Sequence, residues 1–441
     1  MTIKQRFNNL GIEIPKILLP SGDIDYKKWA VIACDQYTSD FDYWREVEEF
    51  VGEAPSTLHL MYPECYLEEN GGASRIAKIN ASMREYMQNR ILLEQSPAFY
   101  LIRRETPFSP ARHGLLLALD LEKYDYEKGP KSVIRATEST IVERIPPRKR
   151  IREKAPLEMP HILTLIDDPE RSIIEPLSLE TRNFEKMYQF ELMKNGGSIT
   201  SFKISGEKYL EQILSAFEKL ADPESQKNRY NLDNTFLFAV GDGNHSLATA
   251  KAVWEDIKKN IDNLDRHPAR YALVEMCNIH DNGIIFEPIH RAIFRTSLTR
   301  FRKLIEDDET MEFEEKRSLD EIINAVKNEG RHVSGIISID FKGILHFHKP
   351  KRGTVSGSVD DLITKIIRDD KEAKIDYIHG DSPACKIGSE PGNIGFILPP
   401  IDKNDFFKTI IKDGTLPRKT FSMGEADEKR FYIETRKIVQ D

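Results

Sequence analysis

The sequence predicts an α/β protein, mixed α+β in detail, laid out as three successive segments. Three observations predict it. Apolar runs of strand length alternate with amphipathic helical patterns along the chain. The most regular unit, within 235–276, reads strand, glycine loop, helix, strand. With 441 residues and 39% hydrophobic side chains, the chain is long enough for more than one core.

The expected N-terminal α/β segment is 1–145. It opens with Ile14-Pro15-Lys16-Ile17-Leu18-Leu19-Pro20 and a buried strand in Trp29–Cys34, ended by the polar cluster Asp35–Asp40. A helix follows over 41–51 and stops at Gly52, a residue suited to a helix C-terminus. Ile76, Ile79, Met83, Met87 and Ile91 fall at helical spacing, which predicts an amphipathic helix over 73–94. Strands are expected at Ala98–Ile102 and Leu115–Leu119. The stretch 144–160 holds Pro146, Pro147, Pro156 and Pro160 among charges and reads as a loop at a domain junction.

The expected core is 146–300: a strand at 160–166, a helix at 205–220, a turn-rich stretch at 221–234, then the unit above. Its two strands are separated by a crossover long enough for a parallel βαβ unit, with an antiparallel arrangement left open. The expected C-terminal α/β segment, 301–441, shows helical patterns near 319–328 and 358–370 and strands at Val333–Ile339 and Ile394–Leu398.

Composition narrows the function. Acidic residues outnumber basic ones, 72 to 64, for a formal charge of -8, where a duplex-binding protein carries a basic stripe. The one basic cluster, Arg144 with Arg148–Lys154, lacks interleaved aromatics and reads as an anion site or a solvated loop. Cys34, Cys65, Cys277 and Cys385 stand far apart, as in a reducing compartment, and form no thiolate zinc motif. No run approaches the roughly 18 apolar residues of a membrane span, and the N-terminus has no apolar h-region. A cytoplasmic protein is expected, with no nucleic-acid partner, no membrane and an open oligomeric state.

The loop Gly241-Asp242-Gly243-Asn244-His245-Ser246 is where chemistry is expected. A strand that ends in Gly-x-Gly and enters a helix aims backbone N–H groups at one point, and the helix dipole favours an anion there. Gly241 and Gly243 leave room for a phosphate. Asn244 or Ser246 can cap the helix, Asp242 can hold a divalent metal or accept a hydroxyl proton, and His245 can donate to a developing charge. The same residues also make an ordinary tight turn and helix cap. The loop is neither a P-loop nor a dinucleotide fingerprint.

Several separated blocks carry a resemblance: Val240–Ala250, Val133-Ile134-Arg135-Ala136-Thr137-Glu138, Phe286-Glu287-Pro288-Ile289-His290-Arg291, Leu416-Pro417-Arg418-Lys419-Thr420-Phe421, and Cys34–Ser39 followed by Tyr43-Trp44. In them the chain resembles the domain of unknown function 1015 family, whose hallmark is a strand, then Asp-Gly-His-His-Arg, then a helix. That box is similar to one in ParB/sulfiredoxin-like folds, which include free-serine kinases and CTP-binding partition proteins. The resemblance implies a ParB/sulfiredoxin-like nucleotide-binding core with additional α/β segments. It implies that Asp242, Asn244, His245 and Ser246 surround nucleotide phosphates. Here Asn244 replaces the first His and Ser246 the Arg, which removes a bidentate phosphate donor. Arg291, Arg148 and Arg418 are candidate replacements.

The expected function is a nucleotide-dependent phosphotransferase acting on a small hydroxyl metabolite, with free L-serine implied by relation. The alternative is a non-catalytic nucleotide-binding regulator. The expected catalytic residues are Asp242, His245 and Glu138. Gly241, Gly243, Asn244, Ser246, Arg291, Arg418 and Lys419 are expected to bind the cofactor, ATP or ADP with Mg held by Asp242. Asp242→Asn is expected to abolish turnover with the melting temperature nearly unchanged.

Overall fold

The computed structural model describes residues 1–67, 71–126, 131–328, 332–424 and 426–440. The chain divides into two compact units. One comprises Met1–Ile285 with Gly424–Asp441, the other Phe286–Met423. The boundaries drawn from the sequence at 145/146 and 300/301 do not coincide with this division, because one sheet takes strands from both sides of residue 145.

The larger unit is built on that ten-stranded sheet: β1 (Ile12–Glu13), β2 (Phe99–Glu105), β3 (Arg112–Asp120), β4 (Tyr124–Asp125), β5 (Ile134–Ala136), β6 (Leu163–Ile166), β7 (Glu185–Glu191), β8 (Ser198–Ile204), β9 (Phe238–Asp242) and β10 (Tyr271–Asn278). The spatial order is β7-β8-β2-β3-β10-β6-β9-β5-β4, with β1 paired to β3. The alternation of the pleat sends Phe99 and Leu101 to one core and Tyr100 and Ile102 to the other, so this sheet is covered on both faces. Helices α1 (Phe41–Val51) and α2 (Gly72–Gln88) supply Trp44, Val47, Ile79 and Met83 to one core. Ile151 of α3 (Ile145–Arg152) packs against the same core, and α4 (Ile174–Leu179) gives Ile174 and Leu177 to the other. The other core takes Ile213, Leu214 and Phe217 from α5 (Glu207–Ala221) and Leu247, Ala250 and Trp254 from α6 (Asn244–Ile257).

Four expectations change. The strands of the 235–276 unit are not parallel neighbours. β6 lies between them, parallel to β10 and antiparallel to β9. The amphipathic helix stops at Gln88, and Leu92–Glu94 pairs as a strand with Leu18–Pro20. The proline-rich stretch is helical over Ile145–Arg152, because Pro146 and Pro147 sit in its first turn, where a proline costs no hydrogen bond. Residues Pro223–Tyr230 are helical by the same means, with Asp222 as N-cap.

The C-terminal segment returns to the larger unit and is wired in by buried ion pairs. Arg430 joins Glu275 and Glu434, and Arg436 joins Glu158. The smaller unit carries its own sheet of β11 (Phe286–Phe294), β12 (Met311–Glu315), β13 (Val333–Ile337), β14 (Lys342–Phe347), β15 (Lys374–His379), β16 (Ile394–Ile397) and β17 (Phe421–Met423). Its order is β12-β14-β13-β16-β11-β15, with β17 on β11. Phe301, Leu345, Val359, Leu362, Ile363 and Phe396 fill its core. The protein is of mixed α/β class. Among the described residues no helix is long and apolar enough to cross a membrane.

Candidate functional site

β5 and β9 run parallel, with Ala136 opposite Val240. Glu138 and Asp242 each stand two residues past these paired positions, so both lie at one edge of the sheet. The chain turns there at Gly243, with φ 80° and ψ 26°, a left-handed conformation that glycine adopts without strain. A Cβ at this position would come within 3.1 Å of the Ile162 Cα. The Gly243 carbonyl accepts from the N–H groups of Ser246 and Leu247, both at 3.0 Å, and α6 begins.

Asn244 is spent on the scaffold. Its Oδ1 accepts the Thr137 N–H at 3.2 Å, and its Nδ2 donates to Thr137 Oγ1 at 3.2 Å and to the Val240 carbonyl at 3.3 Å. It ties the ends of β5 and β9 together and does not face a ligand. His245 Nε2 accepts the Ile141 N–H at 3.4 Å.

Asp242 keeps its partner in the returning C-terminal segment: Lys429 Nζ stands 3.1 Å from its Oδ2, and its own Oδ1 accepts the Gly243 N–H at 2.9 Å. The two side chains are 28% and 12% exposed. Burial pushes the Asp242 carboxyl up, but the Lys429 charge and hydrogen bond, with the Gly243 N–H, hold it below the usual carboxylate range. Asp242 is therefore an ionised, partly open carboxylate beside an ammonium.

Ser246 Oγ lies 2.8 Å from His161 Nε2, and His161 Nδ1 lies 2.8 Å from the Tyr432 hydroxyl. Tyr432 donates to Cys34 Sγ at 3.2 Å and accepts the Cys34 N–H at 3.3 Å. Every group is satisfied with the His161 proton on Nδ1, which leaves Nε2 to accept the Ser246 hydroxyl. Asp35 Oδ2 is 3.8 Å from His161 Nε2. Burial, with Asp35 and Glu64 beside it, pushes the Cys34 thiol up, so Cys34 is not a thiolate nucleophile. Arg148 reaches the same cluster through both Glu64 oxygens, and the Glu64 N–H binds the Cys34 carbonyl at 2.8 Å.

The remaining expected residues belong to the smaller unit. Arg291 is wholly buried and engaged there: Nε donates to Asp360 at 2.8 Å, and Nη1 to the carbonyls of Ile289 at 2.5 Å and Lys419 at 2.9 Å. Nη2 donates to the Arg418 carbonyl at 3.3 Å. Arg291 thus holds the loop of Arg418 and Lys419 in place and has no face left for a phosphate. Gly241, Asp242, Gly243, His245, Ser246 and Glu138 do gather at one sheet edge.

Reading the sequence alone misses Lys429, His161, Tyr432 and Glu64. His161 follows Pro160 directly before β6, and Lys429 sits in a run of charges, Asp427-Glu428-Lys429-Arg430, that looks like solvated surface. Among the described residues no group of three or more His, Cys, Asp or Glu side chains is arranged to hold a metal ion.

Solved structures similar to this chain include a free serine kinase in complex with AMP, at 9% identity and a TM-score of 0.38, covering 75% of this chain and 93% of that one. A conserved hypothetical protein from Pyrococcus furiosus matches at 9% identity and 0.37, covering 72% and 94%. SbnI with a C-terminal truncation, from Staphylococcus aureus, matches at 10% and 0.34, covering 72% and 82%. At such scores the chemistry of the site rests on its own residues. No curated protein matches the chain. The family model described as protein of unknown function DUF1015 matches residues 18–362, and the chain belongs to that family.

Proposed function

We propose that the edge formed by β5, β9 and α6 is the phosphate-handling site of a nucleotide-dependent phosphotransferase acting on a small hydroxyl metabolite. One observation carries the reading: an ionised Asp242 and the Lys429 ammonium face each other at a glycine turn that opens a helix. Lys429 would hold phosphate oxygens in place of the arginine absent at Ser246, as a point charge and not a fork. The α6 N-terminus favours the same anion. Asp242 and Glu138 fit a Mg-nucleotide, since Mg²⁺ takes one or two protein carboxylates and completes its shell with phosphates and water. When bound, the ion would neutralise charge on the transferred group. Asp242 or Glu138 would accept the proton of the acceptor hydroxyl.

A second reading is a nucleotide-binding regulator without turnover. Asn244 and Ser246 favour it, because both spend their side chains inside the protein.

Phosphorus NMR of the protein with Mg²⁺, ATP or ADP, L-serine and a pool of small alcohols separates the two. Transfer predicts a new phosphomonoester signal that needs the protein and disappears in Asp242→Asn. The regulator predicts unchanged nucleotide signals with a nucleotide-dependent rise in melting temperature. If neither appears, both readings fail.

A further inference from the structure

On the larger unit, away from the loop at 241–246, a recess of about 470 Å³ opens against β7, β8, β2 and β3 and the stretch that follows α4. Strand register shows that its floor is one face of the sheet. Gln189 lies opposite Thr200, Thr200 opposite Arg103, and Arg103 opposite His113. One step along, Lys186 lies opposite Phe202, and Phe202 opposite Leu101. Arg182 and Phe184 come from the chain after α4.

The lining is one-sided in charge. Its charged residues are Arg103, Arg182 and Lys186, with no carboxylate, in a protein whose net charge is -8. Acids stand at its margin: Glu105 pairs with the exposed Arg103 at 2.8 Å, and Asp281 accepts the His113 backbone N–H at 3.2 Å and lies 3.7 Å from the His113 Nδ1. Lys186 donates to Gln189 at 2.8 Å, and Arg182 has no ion pair among the described residues. Beside the charges, Leu101, Phe184 and Phe202 supply an apolar wall.

We propose that this recess binds a small organic phosphate monoester, with the dianion between Arg182, Lys186 and Arg103 and a planar or apolar body against Phe184 and Phe202. The volume suits a small molecule. Arg182 and Lys186, with no carboxylate in the lining, favour a dianion over a monoanion, and the apolar wall favours an organic ester over free phosphate. This site is independent of the one at Asp242.

Isothermal titration calorimetry of the full chain tests it, with phenyl phosphate, inorganic phosphate, benzoate and benzyl alcohol as probes. Phenyl phosphate is expected to bind at one site and more tightly than the other three. Arg182→Glu and Lys186→Glu, both at exposed positions, should each weaken it at least about tenfold. Lys429→Met, which removes the cation at the other edge, should leave it unchanged. The proposal is overturned if phenyl phosphate gives no binding in the low-millimolar range, if benzoate binds as tightly, or if the charge reversals leave affinity intact. Loss of binding in Lys429→Met would overturn it too, by moving the ligand to the other edge.

Discussion

Strand β6 carries a polar cluster at each end, and the two differ in how completely their carboxylates are satisfied. Before β6 stands His161, facing Ser246, with Asp242 and Lys429 at the same edge. After β6 come Asp167 and Asp168, beside the end of the parallel strand β10, where Ile166 pairs with Asn278. Asp168 is wholly buried and accepts the Ser172 N–H at 2.6 Å, the Ser172 hydroxyl at 3.1 Å and the Ile173 N–H at 3.1 Å. Asp167 takes His280 Nε2 at 2.7 Å, Arg229 Nη2 at 2.7 Å and the Tyr230 hydroxyl. Asp242 has one lysine and one N–H and remains partly open. The same residue types thus make a saturated scaffold at one end and a partly open carboxylate, with fewer partners, at the other. Saturation separates the two where residue identity cannot.

The largest effect should come from the saturated end. Asp168→Ala strips an acceptor from two backbone N–H groups and a hydroxyl, none of which can turn to water without opening the loop. A loss of about 3 kcal/mol is expected, read as a lower urea midpoint. A loss below about 1 kcal/mol would mean that the loop finds other acceptors and that saturation is a poor marker of scaffold.

The open end should respond less in stability and more in function. The sequence alone predicts a nearly unchanged melting temperature for Asp242→Asn, but the Lys429 partner alters that expectation. With its carboxylate gone, an ammonium only 12% exposed is left uncompensated. The cost is about 1–2 kcal/mol after allowing for the partial exposure of Asp242. Lys429→Met added to Asp242→Asn should recover most of it without restoring any nucleotide response. Strictly additive losses in that double-mutant cycle would show that the two groups do not act as a pair.

What the sequence made legible was local. Helix 41–51 with its Gly52 stop and the strand and glycine turn into α6 follow from short patterns, whereas Glu138 entered only through the family resemblance. Strand order was not legible. β6 separates β9 from β10 through backbone pairing that leaves no periodic signature, and Lys429 reaches Asp242 from the far end of the chain. Arg291 misled because an arginine beside a histidine reads as exposed and anion-seeking, whereas this one is buried and saturated by Asp360 and three carbonyls. Asn244 misled for the same reason: its amide bonds are complete inside the protein.

The smallest effect is the subtlest test of the comparison, because it asks both ends the same question in acid. Burial pushes Asp167 up, yet His280, Tyr230 and Arg229 outweigh it and hold the carboxyl below its ordinary 3.8. Asp242 is shifted in the same direction. For a depressed carboxyl the stabilisation is fully present above the unfolded pKa and is lost as pH falls through the folded one. Urea midpoints followed down from pH 7 should therefore hold until about pH 4 and then decline. Asp167→Asn and Asp242→Asn should each flatten part of that decline. The two should separate on adding salt. Screening weakens the partly exposed pair of Asp242 and Lys429, while Asp167, enclosed by three donors, keeps its share. An equal salt response at the two ends would show that exposure does not distinguish them, and the contrast between the two ends would then rest on hydrogen-bond saturation alone.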